Sequence, residues 1–185
     1  MRILFLGGPG TGKSTAGKRL AETLGWPWVS SGALLRESKE QWVIDKLKTA
    51  ELFDDAMVAE LVLPRIESVN NVVLDGFPRT LKQAKLMIDR GIKVDLAIEL
   101  TIPLEEALAR LSARGREQDV PEIIEERFQM YEQTKTEILA FLAGYGVRVE
   151  TIDGVGTMDE VYARVQEKVL AVLKAELSKI SVQGN

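Results

Sequence analysis

The sequence predicts a three-layer α/β sandwich, with a five-stranded parallel sheet carrying helices on both faces. Three observations lead there. Short β-rich runs alternate with longer helical patterns along the whole chain. Each run closes on a turn signal. The runs are also apolar at successive positions rather than alternate ones, as strands covered on both faces must be.

The elements follow in order. Ile3–Leu6 is the first strand; it stops at Gly7, and a helical pattern covers Lys13–Leu24. Trp28–Ser30 is the second, followed by helical patterns over Leu34–Leu47 and Asp55–Ser68. Val72–Leu74 is the third, with a helix over Leu81–Arg90. Leu96–Leu100 is the fourth, before helices at Leu104–Ala113 and Pro121–Ala143. Val147–Ile152 reads as the fifth, leading into Met158–Leu177, and Ser181–Asn185 is expected to fray. Asp119-Val120-Pro121-Glu122 reads as a helix start, with Asp as N-cap, an early Pro and Glu at the third helical position.

Composition narrows the chemistry. A chain of 185 residues suits one domain with a real core, and 45% hydrophobic with 28% charged residues is ordinary for a soluble globular protein. No apolar run is long enough to cross a bilayer, and the N-terminal run meets Gly7 too soon for a signal peptide, so a cytoplasmic protein without a membrane partner is expected. Without cysteine there are no disulfides or thiolate metal sites. Without histidine the commonest general base and zinc ligand are gone, and no zinc is expected. Chemistry must then run on Lys, Arg, Asp, Glu, hydroxyls, backbone amides or a hard metal ion. The net charge of −4 argues against a nucleic-acid partner.

Gly7-Gly8-Pro9-Gly10-Thr11-Gly12-Lys13-Ser14 satisfies G-x-x-x-x-G-K-[ST] between a strand and a helix, the context in which that motif cradles phosphates. This makes the sandwich one of P-loop NTPase type. Its glycines let successive N–H groups face a phosphate chain, and the helix adds its positive end. Lys13 supplies a charge for the β and γ oxygens, and the hydroxyl of Ser14 or Thr15 can reach Mg²⁺. The plainer reading, a Gly-rich tight turn, fits the flanking strand and helix less well. A nucleoside triphosphate is thus expected, with no information on what receives the phosphate.

Asp75-Gly76-Phe77-Pro78-Arg79-Thr80 follows the third strand. Asp75 at the C-terminal end of a parallel strand is placed to hold Mg²⁺ through water. Gly76 and Pro78 give a sharp turn that aims Arg79 over the crevice as a bidentate phosphate clamp, or else an Asp-Gly turn leaves a solvated Arg. Arg110 and Arg114 lie four apart, on one helical face or just past its end.

These segments, with Ser30-Ser31-Gly32-Ala33-Leu34-Leu35-Arg36, Gln83-Ala84, Arg114-Gly115-Arg116, Asp119, Arg127 and Asp153-Gly154, resemble the adenylate kinase family in content and order over nearly the whole chain. The resemblance implies reversible transfer of the γ-phosphoryl group of ATP·Mg²⁺ to AMP, giving two ADP. It places Arg36 and Arg79 on the acceptor α-phosphate, and Gln83 on the adenine edge. A Gln amide, with both donor and acceptor, suits that edge. Ser31 falls where adenine-specific members have Thr, and Gly76, Leu52 and Phe53 complete the acceptor pocket. Gly8 to Thr15, Arg110 and Gly156 form the ATP side. Lys13, Arg79, Arg114, Arg116 and Arg127 would neutralise the transferring group, a reaction that gains mostly from positioning and charge.

The resemblance also divides the single domain 1–185 into a core (1–29, 56–113, 120–180), an acceptor arm at about 30–55 and a vestigial lid at about 114–119. Family members carry a lid where only Gly115 separates Arg114 from Arg116, so closure is partial or comes from a neighbouring subunit, and a homo-oligomer stays open. Gln118 stands where an acidic residue is usual; Asp119 either orients an arginine or caps the helix. Phe53-Asp54-Asp55 departs from the usual Val-Pro-Asp and leaves acceptor choice open. The alternatives are a UMP/CMP or GTP-dependent AMP kinase, a small-metabolite kinase of shikimate or gluconate type, and a P-loop ATPase or binding factor.

Overall fold

The structure is a computed structural model that describes residues 1–117 and 119–183; Gln118 lies outside them. Five strands, β1 (Arg2–Leu6), β2 (Trp28–Ser30), β3 (Val72–Asp75), β4 (Leu96–Thr101) and β5 (Arg148–Asp153), form one all-parallel sheet in the order β2-β3-β1-β4-β5. The helices are α1 (Lys13–Leu24), α2 (Ser31–Arg36), α3 (Gln41–Leu47), α4 (Asp55–Glu67), α5 (Leu81–Asp89), α6 (Leu104–Arg114), α7 (Pro121–Gly144) and α8 (Met158–Gln183).

Side chains of β1 alternate across the sheet, as a two-residue repeat requires. Leu4 and Leu6 join the layer of Val58, Val62 and Leu63 from α4, Met87 from α5, and Ile138 and Leu142 from α7. Ile3 and Phe5 join Ala16 and Leu20 of α1 and Tyr162, Val165 and Val169 of α8. The expected sandwich of a five-stranded parallel sheet between two helical layers is therefore present, and β1 is buried on both faces. The chain leaves β1 for β2 on one side, and passes from β3 to β4 on the other side of β1, which opens a crevice at the strands' C-terminal ends. Register then brings two motifs together. Phe5 pairs with Asp75, and the Gly76 N–H donates to the Phe5 carbonyl at 3.2 Å, so the phosphate loop and the end of β3 adjoin.

Three expectations need correction. The pattern over Leu34–Leu47 is two helices rather than one. Ser30 caps the first by accepting from the Ala33 N–H at 3.3 Å, which starts it three residues early, and Ser38 accepts from the Glu40 N–H, the local bonding by which Ser interrupts a helix. The last helix runs on to Gln183, past the expected end at Leu177, and so takes in part of the segment expected to fray; residues 184–185 lie outside the described ones. Finally, α7 takes Val120, not Asp119, as its N-cap, because the Asp119 carboxylate is used elsewhere. No helix among the described residues is long and apolar enough to cross a membrane.

Candidate active site

The phosphate loop lies between β1 and α1. Thr11, almost fully buried, donates its hydroxyl to the Gly8 carbonyl at 3.0 Å, and Lys13 Nζ donates to the same oxygen at 2.9 Å. Lys13 is thus folded onto its own loop. Burial pulls its ammonium down to about 8; Asp75 opposes this, while Arg79, Arg114 and Arg36 add to it. Gly10 sits at φ +76°, and a Cβ there would come within 2.9 Å of the Ala107 backbone in α6. A Gly10→Ala change therefore meets both a left-handed backbone and a wall that cannot swing aside. It is expected to cost about 1–3 kcal/mol of stability and to weaken triphosphate binding, read by chemical denaturation and by titration with an ATP analogue.

Loop and β3 share a cavity of about 780 Å³. On one side it is lined by Gly8, Pro9, Gly10, Lys13, Ser14 and Thr15, and on the other by Ser31, Arg36, Leu52, Phe53, Gly76, Arg79 and Gln83, with Asp75 between. Arg114, Arg116, Asp119 and Arg127 close the third side. Four of the expected residues do not reach the cavity wall. Thr11 bonds back onto the loop, and Gly12 is the left-handed N-cap of α1. Arg110 and Gly156 meet each other: Arg110 donates to the carbonyls of Gly154 and Gly156 at 3.0 and 3.1 Å and pairs with Glu106 at 2.7 Å.

The β3 end is organised by hydrogen bonds to backbone and hydroxyls. Ser30 donates to Asp75 Oδ2 at 2.8 Å, while Asp75 Oδ1 is buried with no partner. Ser31 donates to the Gly76 carbonyl at 2.6 Å, and Arg79 Nε donates to the same oxygen at 2.9 Å. Gly76 lies at φ +71°, with Ser31 Oγ and Arg79 Nη2 at 3.1 and 3.2 Å from where a Cβ would stand. That close approach holds Arg79 in the crevice instead of in solvent. Burial lowers the Arg79 guanidinium, with Asp75 acting in the opposite direction. Burial likewise lowers Arg36 and Arg127, helped by neighbouring arginines. Cations that depress one another in a shared cavity form a binding site for a multiply charged anion.

Gln83 is buried, not an exposed helix residue. Thr80 caps α5 by accepting from the Gln83 N–H at 3.1 Å, and Gln83 Oε1 accepts from the Arg79 N–H at 2.8 Å, close to a capping box. Asp119 does not cap a helix. It takes Arg114 in a fork, at 2.8 Å to Nε and 2.7 Å to Nη2, and so aims that guanidinium at the cavity.

Sequence reasoning missed how the arm is held. Arg127 Nη2 donates to the carbonyls of Leu47 and Thr49 at 2.7 and 2.6 Å, and Lys48 pairs with Glu117 at 2.7 Å. The segment between α3 and α4 is thereby tied to α7 and to the short connection after α6. Phe128 and Tyr131 of α7 lie 3.5 and 3.6 Å from where a Cβ on Gly8 would stand. No spacing rule signals these contacts, since they join residues about 70 to 120 positions apart.

Comparison with known proteins matches the adenylate kinase family over residues 5–147, most of the chain and all of the crevice. The chain belongs to the adenylate kinase family. Adenylate kinases from Mycolicibacterium paratuberculosis and Mycobacterium tuberculosis are 38% and 37% identical to it, each over 177 residues, covering 89% of this chain and 96% of the relative. One from Maricaulis maris is 36% identical over 182 residues with the same coverage. As in the expectation for an adenylate kinase, the phosphate loop and the Asp75–Thr80 turn face each other across a single crevice.

Proposed function

We propose that the chain catalyses reversible transfer of the γ-phosphoryl group of ATP to AMP. One observation carries this reading: the phosphate loop and a second set of residues, apolar Leu52, Phe53 and Val58 beside Ser31 and Gln83, line the same cavity, and Lys13, Arg36, Arg79, Arg114, Arg116 and Arg127 line it with them. A hydrolase needs no second nucleotide site. A transferase must bring two nucleotides end to end and neutralise the charge where they meet.

In this reading the loop from Gly8 to Thr15 holds the donor phosphates, with Lys13 leaving the Gly8 carbonyl to meet them. Arg36 and Arg79 hold the acceptor phosphate, and Leu52, Phe53, Ser31 and Gln83 hold its base. Arg114, aimed by Asp119, and Arg116 face the group in transit, and Arg127 joins them from α7. Arg110 and Gly156 shape the rim beside the donor base. The lid remnant adds little cover, whereas the arm held by Arg127 and Lys48 closes the mouth from the acceptor side.

The residues suit Mg²⁺ accompanying the nucleotide. Asp75 offers a buried, unpartnered oxygen and Ser14 lines the same cavity, and one carboxylate plus substrate phosphates is a typical magnesium set. Among the described residues no three His, Cys, Asp or Glu cluster to hold a metal, so the ion would be held jointly with the phosphates. When bound, it supplies positive charge against the phosphate oxygens.

An acceptor panel tests the reading. With ATP as donor, AMP should exceed CMP, UMP and GMP in kcat/KM by at least roughly a hundredfold. Equal use of all four, or hydrolysis that ignores the acceptor, would overturn it.

A further inference from the structure

Resting on the reading that Gln83 faces the acceptor base, we propose that Asp55 is a specificity-determining residue, which makes the site choose a 6-aminopurine over a 6-oxopurine by locking the Gln83 amide against rotation. An amide is nearly symmetric in shape, and its two ends differ only in hydrogen bonding. In this chain both ends are fixed by their neighbours. Arg79 presents a backbone N–H, which donates to the oxygen end at 2.8 Å and has nothing to offer the nitrogen end. Asp55 Oδ1 takes the nitrogen end at 3.0 Å and also receives the Thr80 hydroxyl at 2.8 Å. An ionised carboxylate has acceptors only, so it rejects the oxygen end as firmly as the Arg79 N–H rejects the nitrogen end.

Beyond these bonds the Gln83 amide keeps one further N–H and one further lone pair, and Gln83 lines the cavity together with Leu52, Phe53 and Val58. Adenine offers a donor at its 6-amino group and an acceptor at N1. Hypoxanthine offers an acceptor at O6 and a donor at N1. The two edges have the same outline with opposite polarity, so an amide turned by 180° would serve hypoxanthine as well as the present one serves adenine. Preference for the amino base therefore depends on what prevents the turn. The Arg79 N–H supplies one neutral bond toward this, and Asp55 supplies the charged one, the stronger kind.

The experiment compares kcat/KM for AMP and IMP, with ATP as donor, in the wild type, Asp55→Asn and Gln83→Leu. Asparagine keeps the shape of Asp55 but can itself offer either end. Asp55→Asn should narrow the AMP-over-IMP ratio by roughly tenfold, with IMP use rising in absolute terms while KM for ATP stays unchanged. Damage to the fold would instead lower both acceptors together, and melting temperature checks for it; Asp55→Ala, which also removes the carboxylate, should shift the ratio in the same direction. Gln83→Leu should collapse the ratio. If Gln83→Leu collapses it and neither Asp55 variant moves it, Asp55 is not the lock and the inference is wrong. If Gln83→Leu leaves it unchanged, Gln83 does not read the base, and the underlying reading fails together with the inference.

Discussion

Replacing Lys13 with Met is expected to lower phosphoryl transfer by roughly 10³-fold or more while making the ligand-free protein more stable. The two effects share one cause. Lys13 is held in a cavity with other cations, and its ammonium is pulled from 10.5 down to about 8, chiefly by burial. A base whose pKa falls on folding is protonated more readily in the unfolded chain, so between about pH 8 and 10.5 the unfolded state binds more protons and stability rises with pH. Below about pH 8 both states are charged and the full penalty remains. Methionine keeps the stem and removes the charge. Each tenfold change in proton affinity is worth about 1.36 kcal/mol, so the variant should gain on the order of 1–3 kcal/mol at pH 7. The gain should shrink toward pH 10. Urea unfolding of both proteins at several pH values measures it, and a variant less stable than wild type at pH 7 would contradict the account.

Arg79→Ala is expected to raise KM for AMP by roughly 10²-fold or more, with donor affinity changed little. Arg79 is fixed by the Gly76 carbonyl through Nε, which leaves its two terminal nitrogens for a phosphate. Arg79→Lys should recover only part of the loss, because a lysine cannot keep the Gly76 bond and fork a phosphate together. Initial rates with AMP varied at saturating ATP, beside titration with an ATP analogue, separate the two halves. An equal loss of donor binding would show that Arg79 serves the loop, not the acceptor.

The sheet and both phosphate-facing motifs were readable because they rest on local signals. Buried parallel strands announce themselves as apolar runs, and a phosphate loop needs glycine and lysine at fixed spacing. Arg79 was also legible from its turn, Ser31, Arg36 and Gln83 came from resemblance to the family, and all four line one cavity. What stayed hidden was pairing at long range. Asp119 looked equally suited to cap α7 or to hold an arginine, and only the position of Arg114 decides between them. Asp55 drew no role of its own in the Phe53-Asp54-Asp55 stretch, and its bond to Gln83 spans 28 residues that the sequence does not relate. The break after Arg36 also escaped, because Ser38 competes with the helix through a single local hydrogen bond.

Arg127 holds the carbonyls of Leu47 and Thr49, and Lys48 holds Glu117, so the acceptor arm and the connection after α6 are fastened at two points. A strip fastened in this way shifts as one piece. The free energy of filling one half of the cavity is then shared with the other, and reciprocity requires each nucleotide to alter the affinity of its partner by the same factor. The order in which the two nucleotides arrive would leave its mark on rates and none on the final equilibrium.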